Sequence, residues 1–272
     1  MRASSAVTLT LLTLGTCLVG AYQKATRGQG PVVSQTRNAS AVKRIVVAGG
    51  IELKVTPGSP SLRLSAQRNI LSLIETKFDH GTLTIGPKGS FSTSEPIQAT
   101  LQMPSLQALN ATGGSRATVG SFGRADIDLN AMGGAEIVWK GDVNTLNASA
   151  TGGSTIRLLG KARSASIEGT GAGAVDVDGL EGGKLSLTLT GASHSSIQGR
   201  ASDLTIEATG ASEANLGTLA SNRAKVTASG ASTVKIGRTG GGSATASGAS
   251  NIEYRGRLDH VEGTGSSNVT SR

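Results

Sequence analysis

From residue 105 onward, apolar and polar positions alternate in short runs broken by small residues. Ile137 and Trp139, Ile156 and Leu158, Val175 and Val177, Val234 and Ile236, and Ile252 and Tyr254 each stand two apart. Similar runs precede the breaks: Ile127 and Leu129, Leu185, Leu187 and Leu189, Leu204 and Ile206, Ala224 and Val226. Period two sends successive side chains to opposite faces, so each run predicts a half-buried strand. The breaks recur as well: "TGGS" at 112, "MGGA" at 132, "TGGS" at 151, "TGAG" at 170, "TGAS" at 190 and 209, "SGAS" at 229 and 247, and "TGSS" at 264. Their leading glycines are Gly113, Gly133, Gly152, Gly171, Gly191, Gly210, Gly230, Gly248 and Gly265, spaced by 20, 19, 19, 20, 19, 20, 18 and 17 residues. A second glycine often follows the first strand, at Gly160, Gly179, Gly199, Gly237 and Gly256.

A disordered linker has no reason to keep such a beat. Two or three short strands per repeat predict one coil of a solenoid. The expected fold is therefore all-β: a single-stranded parallel β-helix (β-solenoid) of about nine regular coils, each 17–20 residues long, with irregular N-terminal capping strands. Coils stacked about 4.8 Å apart would make a rod of roughly 40 Å. By parity, the third residue of each turn faces inward: Ser115, Ala135, Ser154, Gly173, Ser193, Ser212, Ser232, Ser250 and Ser267. Small side chains there suit a thin core, and their hydroxyls can bond turn or neighbouring-coil carbonyls. Residues 44–104 alternate without the glycine beat and read as irregular coils closing the N-terminal end of the rod.

The run "MPSLQALNATGGS", with Met103-Pro104-Ser105-Leu106 leading into the first turn, and the repeated GAS coils ending near "SGASNIEYRG" carry a resemblance. Over residues 42–272 the chain resembles the bacterial head GIN domain family of auto-transporter adhesins. The resemblance implies a secreted β-solenoid and transfers no catalytic residues. Residues 44–272 are then one GIN-like domain, with the regular repeats in 105–272.

Composition refines this picture. Aromatic residues are only 2% of the 272, while glycine reaches 39, so the core must be thin and aliphatic. Residues 1–21 read as a signal peptide: Arg2, a short apolar run over 6–19, and Val19-Gly20-Ala21 before the cut. That run is short for a membrane span. Cleavage would remove Cys17, the single cysteine, and leave no thiol chemistry; lipid attachment at Cys17 is the minor alternative. Six basic residues and no acidic ones precede residue 45, which places most of the +8 charge in a leader over 22–43, read as basic and flexible. The remaining 20 basic and 18 acidic residues nearly balance, which argues against a nucleic-acid partner. The expected location is periplasmic or on the cell surface.

Candidate chemistry is sparse. A row of nucleophilic serines would need a base beside each one. Asp126 with Asp128, and Asp176 with Asp178, point outward from strands and do not recur in neighbouring coils. His80, His194 and His260 lack metal-ligand spacing. No cofactor is expected. Basic residues recur near the second corner, however: Arg124, Arg163, Arg200, Arg223 and Arg257, with Lys161 and Arg238 nearby. Stacking would gather them into a loose stripe able to meet an anionic glycan or another envelope protein. The reading is a secreted, non-enzymatic binding or structural solenoid. A carbohydrate-active β-helix enzyme, and a scaffold that self-associates through its ends, are the alternatives.

Overall fold

The computed structural model describes residues 25–39 and 42–272. The signal-peptide reading, and Cys17 with it, lies outside them. Nearly every described segment is strand, and the regular repeats form a parallel solenoid of about nine turns. Each coil contributes a strand before its glycine turn and a strand after it. Strands after the turn pair in unbroken register, so Arg116, Glu136, Thr155, Ala174, His194, Glu213, Thr233, Asn251 and Asn268 form one outward column. Strands before the turn stack likewise, with Leu109, Leu129, Ala148, Ile167, Leu187, Ile206, Val226 and Ala244 as an inward column. A short third side closes the coil, where Val143, Ala162, Leu180, Gly199 and Leu219 align.

The core lies between the two long faces. Its rungs are almost all fully buried aliphatics, with Trp139 the largest side chain among them. The column beside the turn is Ala111, Ala131, Ala150, Gly169, Leu189, Ala208, Ala228 and Ala246. Leu189 breaks the small-residue rule and Gly169 accommodates it: a Cβ on Gly169 would meet Leu189 Cδ2 at 2.9 Å. Packing volume is thus shared between neighbouring coils.

Turn chemistry follows from the same stacking. The nine leading glycines all have positive φ, from 62° to 85°, where a side chain is strained. Five residues of the inward turn column hand a hydroxyl bond to a carbonyl: Ser154 Oγ donates to Ala131 O at 2.8 Å, Ser232 to Ala208 O at 3.2 Å, Ser250 to Ala228 O at 3.1 Å and Ser267 to Ala246 O at 3.1 Å. Ser115 bonds Thr112 O within its own turn. At the second corner glycine has a different task, close approach. A Cβ on Gly160 would lie 2.3 Å from Gly141 O, and one on Gly237 would lie 2.2 Å from Leu219 O.

The N-terminal end departs from the expectation in two ways. Arg44–Ala48 and Ile51–Pro57 flank a glycine turn and pair in register with Ala108–Thr112 and Arg116–Val119, so they form a further regular coil. An excursion over residues 58–103 separates that coil from the next and hides the beat. Within it, Thr82–Pro87 and Ile97–Met103 add one more parallel layer. Antiparallel strands then close the end: Ser61–Gln67 on Ile97–Met103, Ile74–Asp79 on Thr82–Pro87, and Val32–Arg37 on Ser61–Gln67. This last strand, with Thr26–Arg27, falls in the stretch read as a flexible leader. Backbone pairing and Arg37 hold it there instead of apolar alternation. The Arg37 guanidinium donates to Ile74 O at 2.6 Å, Leu71 O at 2.9 Å and Thr76 Oγ1 at 3.1 Å.

Candidate functional site

The two long faces differ outside as much as they agree inside. After the turn, charged residues of neighbouring coils meet by opposite sign: Arg116 Nε lies 2.7 Å from Glu136, and Arg157, in the adjoining column, reaches both Glu136 at 3.3 Å and Asp176 at 3.8 Å. Hydrogen bonding to Glu136 raises the Arg116 pKa above its ordinary value. Before the turn, the outward column beside the glycine is mostly threonine, while Glu168, Glu207, Lys225 and Glu262 stand on the same face. Thr151, Thr170, Thr190 and Thr209 stack directly, and Asn130 donates to Asn110 at 2.8 Å. Near the cap, the charged face holds a depression of about 470 Å³ in which Glu52 sits among Lys54, Arg116 and Lys140.

The basic residues expected at the second corner fall into two groups. Arg124 is held by Asp142 at 3.0 Å and by Glu181 at 2.7 Å, and Lys161 approaches Glu181 at 3.6 Å. The hydrogen bond to Glu181 raises the Arg124 pKa, with Asp142 adding to it. Asp142 is lowered first by the Lys161 backbone N–H and then by Arg124, and Glu181 is lowered by Arg124. This end of the corner is a neutral fastener. Farther along, Arg163, Arg200 and Arg223 are exposed and form no ion pair among the described residues. Arg257 pairs with Asp259 at 2.9 Å, a carboxylate already lowered by the Gly242 backbone N–H. The five arginines do not share one column: Arg200 aligns with Glu181 and Ala220, and Arg223 with Asp203.

Three of the four carboxylates considered for catalysis have structural partners. Asp126 accepts the Thr145 N–H at 3.2 Å, and Asp128 accepts from Asn147 at 2.8 Å. Asp176 faces Arg157, and Asp178 is exposed at the corner. Among the described residues, His80, His194 and His260 each face a single carboxylate, at 2.6, 3.7 and 3.8 Å. No helix among them is long and apolar enough to cross a membrane. Two arginines escaped the sequence reading as a pair. Arg238 was noted only as a neighbour and Arg255 not at all, yet they are direct register partners. Their 17-residue separation, matching the last coil spacing, was the available signal.

Solved structures share this architecture at low identity. A putative adhesin from Parabacteroides merdae matches with a TM-score of 0.65 and 17% identity, covering 90% of this chain and 99% of that one. One from Parabacteroides distasonis gives 0.63 and 18%, covering 91% and 100%. A protein from the same species described as a putative lipid binding protein gives 0.56 and 17%, covering 91% and 100%. No curated protein matches the sequence. The sequence profile described as "Putative auto-transporter adhesin, head GIN domain" matches residues 42–194 and 161–257, which take in the extra cap coil as well as the regular repeats. The chain belongs to this head GIN domain family.

Proposed function

We propose that the protein is a secreted, non-catalytic binding solenoid of the bacterial cell envelope, and that it meets an anionic partner through the far half of its second corner. One observation supports this above the others. The corner's first half is neutralised by Asp142 and Glu181, whereas Arg163, Arg200 and Arg223 are left exposed without ion pairs among the described residues. An electrostatic surface of this kind steers anionic ligands and weakens with salt. Near-constant coil length from residue 112 onward leaves no inserted loops to wall a catalytic cleft, which favours binding over the carbohydrate-active alternative.

A glycan array with the secreted chain tests the reading. Retention on acidic glycans should fall as salt rises, and the triple variant Arg163→Ser, Arg200→Ser, Arg223→Ser should lower it. Arg257 is left out of this set because Asp259 already pairs with it. Chain cleavage of any bound polysaccharide, abolished by Asp176→Asn or Asp178→Asn, would overturn the non-catalytic reading.

A further inference from the structure

On the charged face near the cap, opposite charges of neighbouring coils pair, and at the fastener each cation has its acid. One pair of neighbours breaks that pattern. Arg238 and Arg255 are register partners on adjacent coils, and Ala220, one place before Ser221, stands next in the same column with Arg200 beyond it. Adjacent strands lie about 4.8 Å apart, and like charges placed opposite one another are destabilising. Both side chains are exposed, and neither forms an ion pair among the described residues. Two acids of these last coils are already engaged: Glu253, which shares a depression with Arg255, by Arg272 at 2.8 Å, and Asp259 by Arg257 and the Gly242 N–H, each at 2.9 Å.

The pair borders a concavity. Arg238 and Arg255 line an open depression of about 650 Å³ whose floor is Gly217, Ala220 and Gly256. The depression opens where the strand breaks at Gly217 and Thr218, between Glu213–Leu216 and Leu219–Ala228; one coil earlier, His194–Gly210 runs through unbroken. On the other side of Arg255 a second depression is lined by Lys235 and the half-buried Tyr254. Tyr254 packs against the core, as its place in the alternation predicts, and is only partly covered. Lys235 forms no ion pair among the described residues either. The result is a shallow groove with Lys235, Arg238, Arg255 and the Arg272–Glu253 ion pair along it, an aromatic ring, and small residues between them.

We propose that this groove binds an acidic polysaccharide. A guanidinium fork fits the two oxygens of a carboxylate or sulfate, and two forks side by side clasp one such group while relieving their own repulsion. The uncovered part of the Tyr254 ring offers apolar surface to the adjoining sugar. An open groove, unlike an enclosed pocket, accepts a segment from the middle of a polymer. The inference rests on the binding reading above and gives it a ligand class and an address.

Retention of the full chain on polygalacturonate and on dextran sulfate tests it, with neutral dextran and anionic phospholipid vesicles alongside. Arg238→Ser with Arg255→Ser should weaken retention at least about tenfold, the loss expected for two charge-assisted bonds. The double lysine variant should lie between, since it keeps charge and loses the fork. Thr218→Glu, which puts a carboxylate at the groove without touching either arginine, should weaken retention as well. Dextran sulfate should raise the melting temperature of the wild type and not that of the double serine variant, whose ligand-free form should melt no lower than wild type.

Each other outcome is decisive. Unchanged retention by the double serine and Thr218→Glu variants, with loss in the Arg163, Arg200, Arg223 variant, overturns the groove and leaves the corner. Retention on vesicles but on neither polyanion overturns the polysaccharide. Retention on none of them overturns both the groove and the anionic partner.

Discussion

The two long faces of each coil carry similar aliphatic rungs inside and opposite vocabularies outside. After the turn, Arg116, Glu136, Arg157 and Asp176 link successive coils by opposite sign. Before the turn, the outer column beside the glycine reads Thr151, Thr170, Thr190 and Thr209, the same residue repeated. Stacking spacing accounts for the difference. Neighbours about 4.8 Å apart can be identical if they are short and neutral, whereas charged neighbours must alternate or repel. Interior columns are fixed by packing and exterior ones by sign compatibility. A place that violates sign compatibility, such as Arg238 over Arg255, is therefore informative.

Experiments can break this comparison, beginning where the faces join. Gly210→Ala combines a φ of 85° with a Cβ placed 2.8 Å from Gly191 O. We expect it to cost about 2–5 kcal/mol, read by urea denaturation. Gly134→Ala has a φ of 80° but open space around it and should cost only about 1–2 kcal/mol. Equal losses at the two sites would show that backbone strain alone decides, without the crowding between coils.

Inside, Gly169→Ala should cost about 1–3 kcal/mol by driving a Cβ toward Leu189. Leu189→Ala made on top of it should cost much less than it does alone, because an Ala–Ala pair restores the pattern of neighbouring coils. Additive losses would separate the two sites.

Outside, Glu136→Lys places a third cation between Arg116 and Arg157 and should cost about 1 kcal/mol, recovered by added salt. Thr170→Lys on the other face should stay within about 0.5 kcal/mol. Equal effects would erase the distinction between the faces.

The smallest effect concerns acid. Asp142 and Glu181 have pKa values lowered in the folded state, Asp142 first by the Lys161 N–H and Glu181 first by Arg124. A lowered folded pKa stabilises above the unfolded value, near pH 4, and that contribution disappears as pH falls through the folded value. Asp142→Asn should therefore lower the melting temperature slightly at neutral pH, and the gap from wild type should close in acid. A gap that persists at about pH 2 would show that the carboxylate's charge is not what matters.

The solenoid was legible because local alternation and the glycine beat coincide in every regular coil, and the inward serines followed by parity alone. Less was legible where one of those signals failed. The coil around Gly49 lost its beat because the excursion over 58–103 stands before Gly113. Val32–Arg37 is an edge strand held by backbone bonds, so its polar composition gave no sign of pairing. At the corner, the arginine recurrence was visible but its compensation was not. Glu181 reaches Arg124 across 57 residues of chain, a contact that depends on register at a bulged corner.

In-register backbone pairing, joined at four turns by a serine bond to a carbonyl of the coil before, makes each coil the template for the next. Such a rod changes by whole coils: duplicating one leaves both new junctions with familiar partners. Valency is then inherited as length. A duplicated arginine coil would add a second binding notch at a fixed pitch, so avidity for a repeating polymer could grow without any new kind of contact.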